Sequence, residues 1–425
     1  MKIELEAEIA EIGARGDGIA PLEDGRRLYV PYTVVGDRIR ARLGAPRPDG
    51  FAGRLIEILA PGPGRATPPC RHFGSCGGCA LQHLDEDHYR AWKGQLVASA
   101  LARQGVAAGS IRPLWTTPQG SRRRADLTAV RRKSDLVLGF NARATHQVID
   151  LAECPVLRPE IVALVEPLRD LLMSVLAPAE RAEAIVTLTD SGLDLLLMTG
   201  AELGLKRRER LASFAETRDL ARLARRHPRG RGVETIVERR AARVRFGNAS
   251  VPFPPGAFLQ ASAEGEAVLR AAVVKALGPA RRAVDLYAGI GTFAASLAAE
   301  GYAVHAYEAE RDMVAALDSA IRASAGRWRA SAVERDLDRR PLGPEELGRI
   351  EAAVLDPPRA GARAQAEMLA ASEVERVAYV ACNPASFARD ARLLIDGGYA
   401  LEWVQPVDQF LWSPHLELVG AFRRV

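Results

Sequence analysis

Ala283-Val284-Asp285-Leu286-Tyr287-Ala288-Gly289-Ile290-Gly291 reads as a buried strand that runs straight into a glycine-rich turn. A helix is expected next, over residues 292–300. Glycines at such a turn let the backbone come close to a ligand. The same rhythm continues toward the C-terminus, with a strand at 302–307, a helix at 310–324, and strands at 352–355 and 376–381. Strand and helix in alternation specify a parallel, doubly wound, Rossmann-like α/β sheet. Such sheets bind ligands outside the carboxyl ends of their strands.

Toward the N-terminus the pattern changes. Residues 1–60 alternate apolar and polar, as in Ile3-Glu4-Leu5-Glu6-Ala7-Glu8-Ile9, with turn signals such as Gly16-Asp17-Gly18 between the runs. Short strands at that spacing predict a small, OB-like β-barrel. Ala60-Pro61-Gly62-Pro63-Gly64 has the composition of a linker. Residues 61–250 mix strand-like runs (136–140, 184–188) with helical ones (90–108, 159–175, 205–226), as a central α+β domain would. The expected order is thus barrel (1–60), central domain (61–250) and catalytic domain (251–425).

Bulk properties narrow the function classes without choosing one. The 425 residues are 48% hydrophobic and 26% charged, as in ordinary globular proteins. A net charge of +5 favours an acidic partner such as nucleic acid, though only modestly. No apolar run is long enough to span a bilayer, and the alternating start lacks the apolar core of a signal peptide. A cytoplasmic protein is expected.

Glu308 follows the second strand, where a carboxylate can accept hydrogen bonds from both hydroxyls of a ribose. A dinucleotide fingerprint would need a third glycine where Ala294 stands. A cofactor with a ribose and no pyrophosphate fits better, which points to S-adenosylmethionine (SAM). Asp356-Pro357-Pro358-Arg359 closes a later strand, its prolines fixing the carboxyl at the ligand edge. Arg359 stands where an amino-group methyltransferase would carry an aromatic residue. Cys382-Asn383-Pro384 closes the next strand. A lone strand-end cysteine is most often just buried, but this one shares the edge with the cofactor turn. A thiolate there could add to carbon 6 of a uracil and make carbon 5 nucleophilic. Glu417, on a C-terminal strand, is the candidate base for the carbon 5 proton.

Together, Phe258-Leu259-Gln260, the Asp285–Gly291 stretch, Tyr307-Glu308, Asp356-Pro357-Pro358-Arg359-Ala360-Gly361, Cys382-Asn383-Pro384-Ala385 and His415-Leu416-Glu417 resemble the uracil-5 RNA methyltransferase family. The resemblance spans the whole C-terminal domain and implies a class I SAM methyltransferase fold. It implies SAM contacts by Gln260, Tyr287, Gly289, Thr292 and Glu308, with Asp336 near the adenine and Asp356 between SAM and the uracil. Cys382 would be the nucleophile and Glu417 the base. Ala288, Ala381 and Thr292 depart from the residues common at those positions, and Trp412-Ser413-Pro414 is an unusual lead into His415.

Cys70, Cys76 and Cys79 crowd one short loop with Gly77 and Gly78, and Cys154-Pro155 offers a fourth thiol. Four thiolates suit either Zn²⁺ or a [4Fe–4S] cluster. The sequence Cys-x5-Cys-Gly-Gly-Cys followed by Gln82-His83-Leu84 resembles the iron–sulfur motif of the family's ribosomal RNA members. The N-terminal barrel, with Tyr29-Val30-Pro31-Tyr32 and Val35-Gly36-Asp37, resembles a TRAM domain. These likenesses imply RNA as partner, most specifically 23S ribosomal RNA with a flipped uridine, bound by a monomer. The alternatives are the tRNA branch and a non-catalytic RNA-binding module. Arg122-Arg123-Arg124 is a further candidate RNA contact.

Overall fold

The computed structural model describes residues 3–230 and 232–425. The site is carried by an eight-stranded sheet. Its order is Arg329–Glu334, Ala303–Glu308, Arg282–Leu286, Ala352–Leu355, Arg376–Ala381, Glu417–Arg424, Tyr399–Asp408 and Trp115–Thr116. Glu417–Arg424 alone runs antiparallel to its neighbours. Alternate side chains enter two separate cores. Ala283, Val304, Val354 and Ala378 face one, and Val284, Leu286, Leu355 and Tyr379 the other. Helices Ala263–Leu277, Ala294–Ala299 and Arg311–Ala323 cover the first face. Arg363–Ala370 and Pro384–Asp396 cover the second. Burial on both faces is why these strands read as near-continuous apolar runs.

Register sets the site. Leu286, Leu355 and Tyr379 lie in one row across three parallel strands. Tyr287, Asp356 and Cys382 each lie just beyond, at the carboxyl edge. The antiparallel strand begins at that edge, and its pairing of Leu418 with Ala381 sets Glu417 across from Cys382.

The N-terminal strands, Glu4–Glu8 through Gly50–Ala60, form a six-stranded sheet whose edge strands, Glu4–Glu8 and Glu11–Ile12, are joined by Ile9-Ala10 alone. The sheet therefore closes into a barrel, filled by Ile9, Leu28, Val30 and Ile39. Asp37, fully buried, accepts hydrogen bonds from Val34 N (2.7 Å) and Gly62 N (2.8 Å) and pairs with Arg65, which ties the barrel to the linker.

The middle of the chain is less self-contained than its sequence suggests. A seven-stranded sheet, Arg124–Arg131 through Val233–Glu238, packs on helices Pro159–Val175 and Leu205–Thr217. Helix Glu86–Arg103, however, sends Val97, Ala100 and Leu101 into the core of the catalytic sheet. Trp115–Thr116 extends that sheet, and the hairpin Arg243–Phe246 with Ala249–Pro252 packs there too. The helix expected over 205–226 ends at Thr217, and Asp219, with φ of 49°, turns the chain into strand Arg222–Arg226. The arginines there disguise a buried strand, since Arg222 is neutralised within the sheet by Asp194 at 2.7 Å.

Candidate active site

Tyr287 opens the turn after the first strand with φ of 65°, a left-handed conformation that costs a non-glycine residue on the order of 1–3 kcal/mol. Its hydroxyl donates to Asp338 Oδ1 at 3.0 Å, which anchors it. Gly289 follows at φ of 54°, and a Cβ there would meet no atom within 4 Å, so the turn is backed by open space of the kind a ligand fills. At Gly291 a Cβ would lie 2.6 Å from Leu317 Cδ1, so that glycine serves close packing instead. Thr292 is buried immediately after it.

Glu308 is held from both sides. Its Oε2 accepts from Gly289 N and its Oε1 from Glu310 N, each at 2.9 Å. Each oxygen keeps a second lone pair, so two ribose hydroxyls can still be accommodated. Asp336 lies beyond strand Arg329–Glu334, where its Oδ1 accepts from Asp338 N and Arg339 N. Gln260, 1% exposed, donates through Nε2 to Asp356 Oδ2 at 3.3 Å.

Asp356, Cys382 and Glu417, the residues expected at the reacting end, come together at the sheet edge. Burial pushes the Asp356 carboxyl up to about 7, against the Gln260 hydrogen bond. Burial likewise holds Glu417 well above the usual carboxylate range, and the charge of Asp356 adds to it. The Cys382 thiol is pushed up to about 11, first by burial and then by Glu417 and Asp356, with Arg359 opposing. The three groups are thus close enough for each charge to shift its neighbours. A thiol held at about 11 is overwhelmingly neutral at pH 7. We expect alkylation at Cys382, followed by mass spectrometry of its peptide, to rise about tenfold per pH unit between pH 7 and 10. A plateau reached below pH 9 would contradict this environment.

Two elements that the sequence did not single out complete the wall. Lys93 and Asp408, both fully buried, pair at 2.7 Å, and Tyr89 donates to the other Asp408 oxygen at 2.5 Å. Lys93 also donates to the carbonyl of His415. Helix Glu86–Arg103 thereby clamps the loop that leads to Glu417. Gln409, next to Asp408, donates to Gln260 Oε1 at 2.5 Å. No local pattern marks these residues; 315 positions separate Lys93 from Asp408.

Of the three consecutive arginines, Arg123 is buried against Glu266 and the Gln260 carbonyl, and Arg124 donates to the carbonyls of Gly256 and Ala257. Their charges are used inside the fold, which removes the run as a surface RNA contact. Arg122 lies over the Phe410 ring, 5.9 Å from its centroid.

Cys70, Cys76, Cys79 and Cys154 line one cavity of about 390 Å³, together with Arg122 and His415. Burial pushes the Cys79 thiol up to about 12 and raises Cys76 and Cys154. Among the described residues, no three His, Cys, Asp or Glu side chains converge as they would on a single ion. Four thiols around one cavity are the donor type that either Zn²⁺ or an iron–sulfur cluster takes. The cysteine loop touches the active-site loop directly, because Ala80 N and Leu81 N both donate to the Trp412 carbonyl.

A parallel sheet with one antiparallel strand inserted before its last long strand, and a carboxylate held at the end of the second strand beside a glycine turn, defines a Rossmann-like class I methyltransferase fold. Comparison with known proteins takes this further. The family model described as tRNA (Uracil-5-)-methyltransferase matches residues 251–424. An uncharacterized RNA methyltransferase of Brucella suis biovar 1 is 43% identical over 98% of this chain and 97% of its own length. The 23S rRNA (uracil(1939)-C(5))-methyltransferase RlmD of Halomonas elongata is 34% identical over 95% of this chain and 86% of its own. The crystal structure of the Pyrococcus abyssi tRNA (uracil-54, C5)-methyltransferase, in complex with S-adenosyl-L-homocysteine, shares the fold. It superposes with a TM-score of 0.77 at 20% identity, over 98% of this chain and 100% of its own. The chain belongs to the uracil-5 RNA methyltransferase family and is an enzyme acting on RNA. No helix among the described residues is long and apolar enough to cross a membrane.

Proposed function

We propose that this enzyme methylates carbon 5 of a uridine in 23S ribosomal RNA, with SAM as methyl donor. The observation that carries the proposal is the meeting of Cys382, Asp356 and Glu417 at one sheet edge beside the Gly289 turn. Gln260, Tyr287, Gly289, Thr292 and Glu308 would hold SAM, with Asp336 near its adenine. Bound there, SAM supplies an electrophilic methyl group. Cys382 Sγ adds to carbon 6 of the uracil, which puts carbanion character on carbon 5, facing the methyl. Asp356 would sit between the two ligands. Afterwards Glu417 takes the carbon 5 proton, the carbon 5–carbon 6 double bond reforms, and the thiolate leaves. A carboxyl held above its usual range is a better base than an ordinary one.

Ribosomal RNA is favoured over tRNA by the closed barrel, by the four-cysteine cavity, and by the match over most of the Halomonas relative's length. The barrel would serve as a TRAM-type RNA-binding domain. Cys70, Cys76, Cys79 and Cys154 would hold a [4Fe–4S] cluster, whose part is to brace the loop beside Trp412, since methyl transfer needs no electrons. The target uridine would be flipped out of its stack to reach Cys382, and Phe258, 65% exposed beside the site, offers a ring for a neighbouring base. Five unpaired cysteines suit a reducing cytoplasm, where the chain would act as a monomer.

The test is incubation with labelled SAM and either 23S rRNA or tRNA, followed by nucleoside analysis. The expected result is 5-methyluridine in the 23S rRNA. Label in tRNA alone would move the enzyme to the other branch of the family. A methylated amino group would overturn the chemistry, and no label in any RNA would favour a non-catalytic binding module.

A further inference from the structure

We infer that Arg122 is the counter-cation of the group held by Cys70, Cys76, Cys79 and Cys154, and that its charge sets how firmly that group is retained. The inference rests on the reading of those cysteines as ligands of a [4Fe–4S] cluster. A [4Fe–4S]²⁺ core bound by four thiolates is a net dianion, as is Zn²⁺ bound by four thiolates. Holding a dianion away from water is costly unless positive charge lies beside it.

Besides the cysteines, the ionisable side chains of the cavity wall are Arg122, Arg124, Asp126, Glu153, His72 and His415. All but Arg122 are neutral or already paired. Arg124 and Asp126 pair with each other at 3.0 Å. Glu153 pairs with Arg71 at 3.3 Å. His72 Nε2 accepts from Ala152 N at 3.1 Å, so its ring is neutral. Burial, with the charges of Arg359, Lys93 and Arg122 adding to it, holds His415 below the usual imidazole range and so uncharged at pH 7. Arg122 has no carboxylate partner among the described residues. Its Nε donates to the Arg124 carbonyl at 3.1 Å, and its terminal nitrogens donate to no described residue. The Phe410 ring beside it is a weak partner for a full charge. A guanidinium that stays protonated at every physiological pH thus shares its cavity with four thiols and is otherwise uncommitted.

The backbone ties Arg122 to the segment that carries Cys154. Arg122 N donates to the Val156 carbonyl at 3.0 Å, and Arg158 N donates to the Arg122 carbonyl at 2.8 Å. Gly120 N adds a bond to the Pro155 carbonyl at 2.8 Å. The reduction potential then reports the charge, because reduction adds one electron to the cluster and a neighbouring cation favours it.

The experiment compares wild type, Arg122→Met and Arg122→Lys, each kept free of oxygen and loaded with iron and sulfide. It measures iron and sulfide per chain, iron release to a chelator, the midpoint potential against dithionite, and binding to 23S rRNA. Arg122→Met should release iron about tenfold faster, with a midpoint lower by about 59 mV, the equivalent of a tenfold change in a one-electron equilibrium. Arg122→Lys, which keeps the charge, should release iron within about threefold of the wild-type rate. Equal changes in both variants would make packing responsible and overturn the inference. Wild-type release and potential in Arg122→Met would overturn it and leave the cluster reading standing, and weakened RNA binding beside them would give Arg122 to the RNA instead. Iron and sulfide missing from wild type would remove the cluster reading itself, and the inference with it. Should Arg122→Met fail to fold, Arg122→Gln, neutral but still a hydrogen-bond donor, decides by the same criteria.

Discussion

Changing Cys382 to alanine is expected to lower RNA methylation by at least about 10⁴-fold, with no covalent protein–RNA species formed. The expectation follows from what the site offers in place of the thiol. Uracil carbon 5 is too weak a nucleophile to attack a methyl sulfonium unaided, and the remaining wall groups are carboxyls and amides. Asp356 and Glu417 are both held above their ordinary range by burial, and a carboxylate is a poor substitute for a thiolate as a nucleophile toward carbon 6. The sulfur is held as a thiol by burial, and its proton must leave before it can add to the ring. Methyl transfer by the alanine variant within tenfold of wild type, followed with labelled SAM, would defeat covalent catalysis.

Lys93→Met should destabilise the protein by about 3–5 kcal/mol, the cost of stranding one buried charge after its partner is removed. Lys93 and Asp408 are both fully buried, and Asp408 retains only the Tyr89 hydroxyl and the Phe410 amide once the lysine is gone. The His415 carbonyl loses its donor as well. Methionine preserves most of the volume, so the loss measures charge rather than a cavity. Equilibrium urea unfolding reads it directly. A change below about 1 kcal/mol would mean that Asp408 is protonated or reaches water, and the clamp on the Glu417 loop would lose its basis.

The sequence made the catalytic sheet legible because its central strands are buried on both faces and each of them is followed by a turn with its own chemistry. The glycines at 289 and 291, the prolines after Asp356 and the Asn383 cap of helix Pro384–Asp396 are local signals, and they mark the sheet edge where the groups meet. The groups that hold those residues in place were not legible. Lys93 sits in a helix whose charges look like an ordinary solvated face, and Gln409 has no neighbours that advertise a role. Arg123 and Arg222 misled in the opposite sense, since a guanidinium buried against a carboxylate has the same letter as one in water. Pairings over a hundred residues or more are set by the fold, and a single chain read in order does not contain them.

Helix Glu86–Arg103 stitches three regions together. Trp92 donates to the Ile12 carbonyl of the barrel, Val97 and Leu101 enter the catalytic core, and Lys93 reaches the loop before the final strand. During synthesis this helix emerges long before the strands it must join, and its buried lysine has no counter-charge until the ribosome has passed Asp408. The finished crevice is therefore the last thing the nascent chain acquires. Partly made copies carry the barrel but lack the strand that brings Glu417 across from Cys382, so the crevice is absent until synthesis is nearly complete.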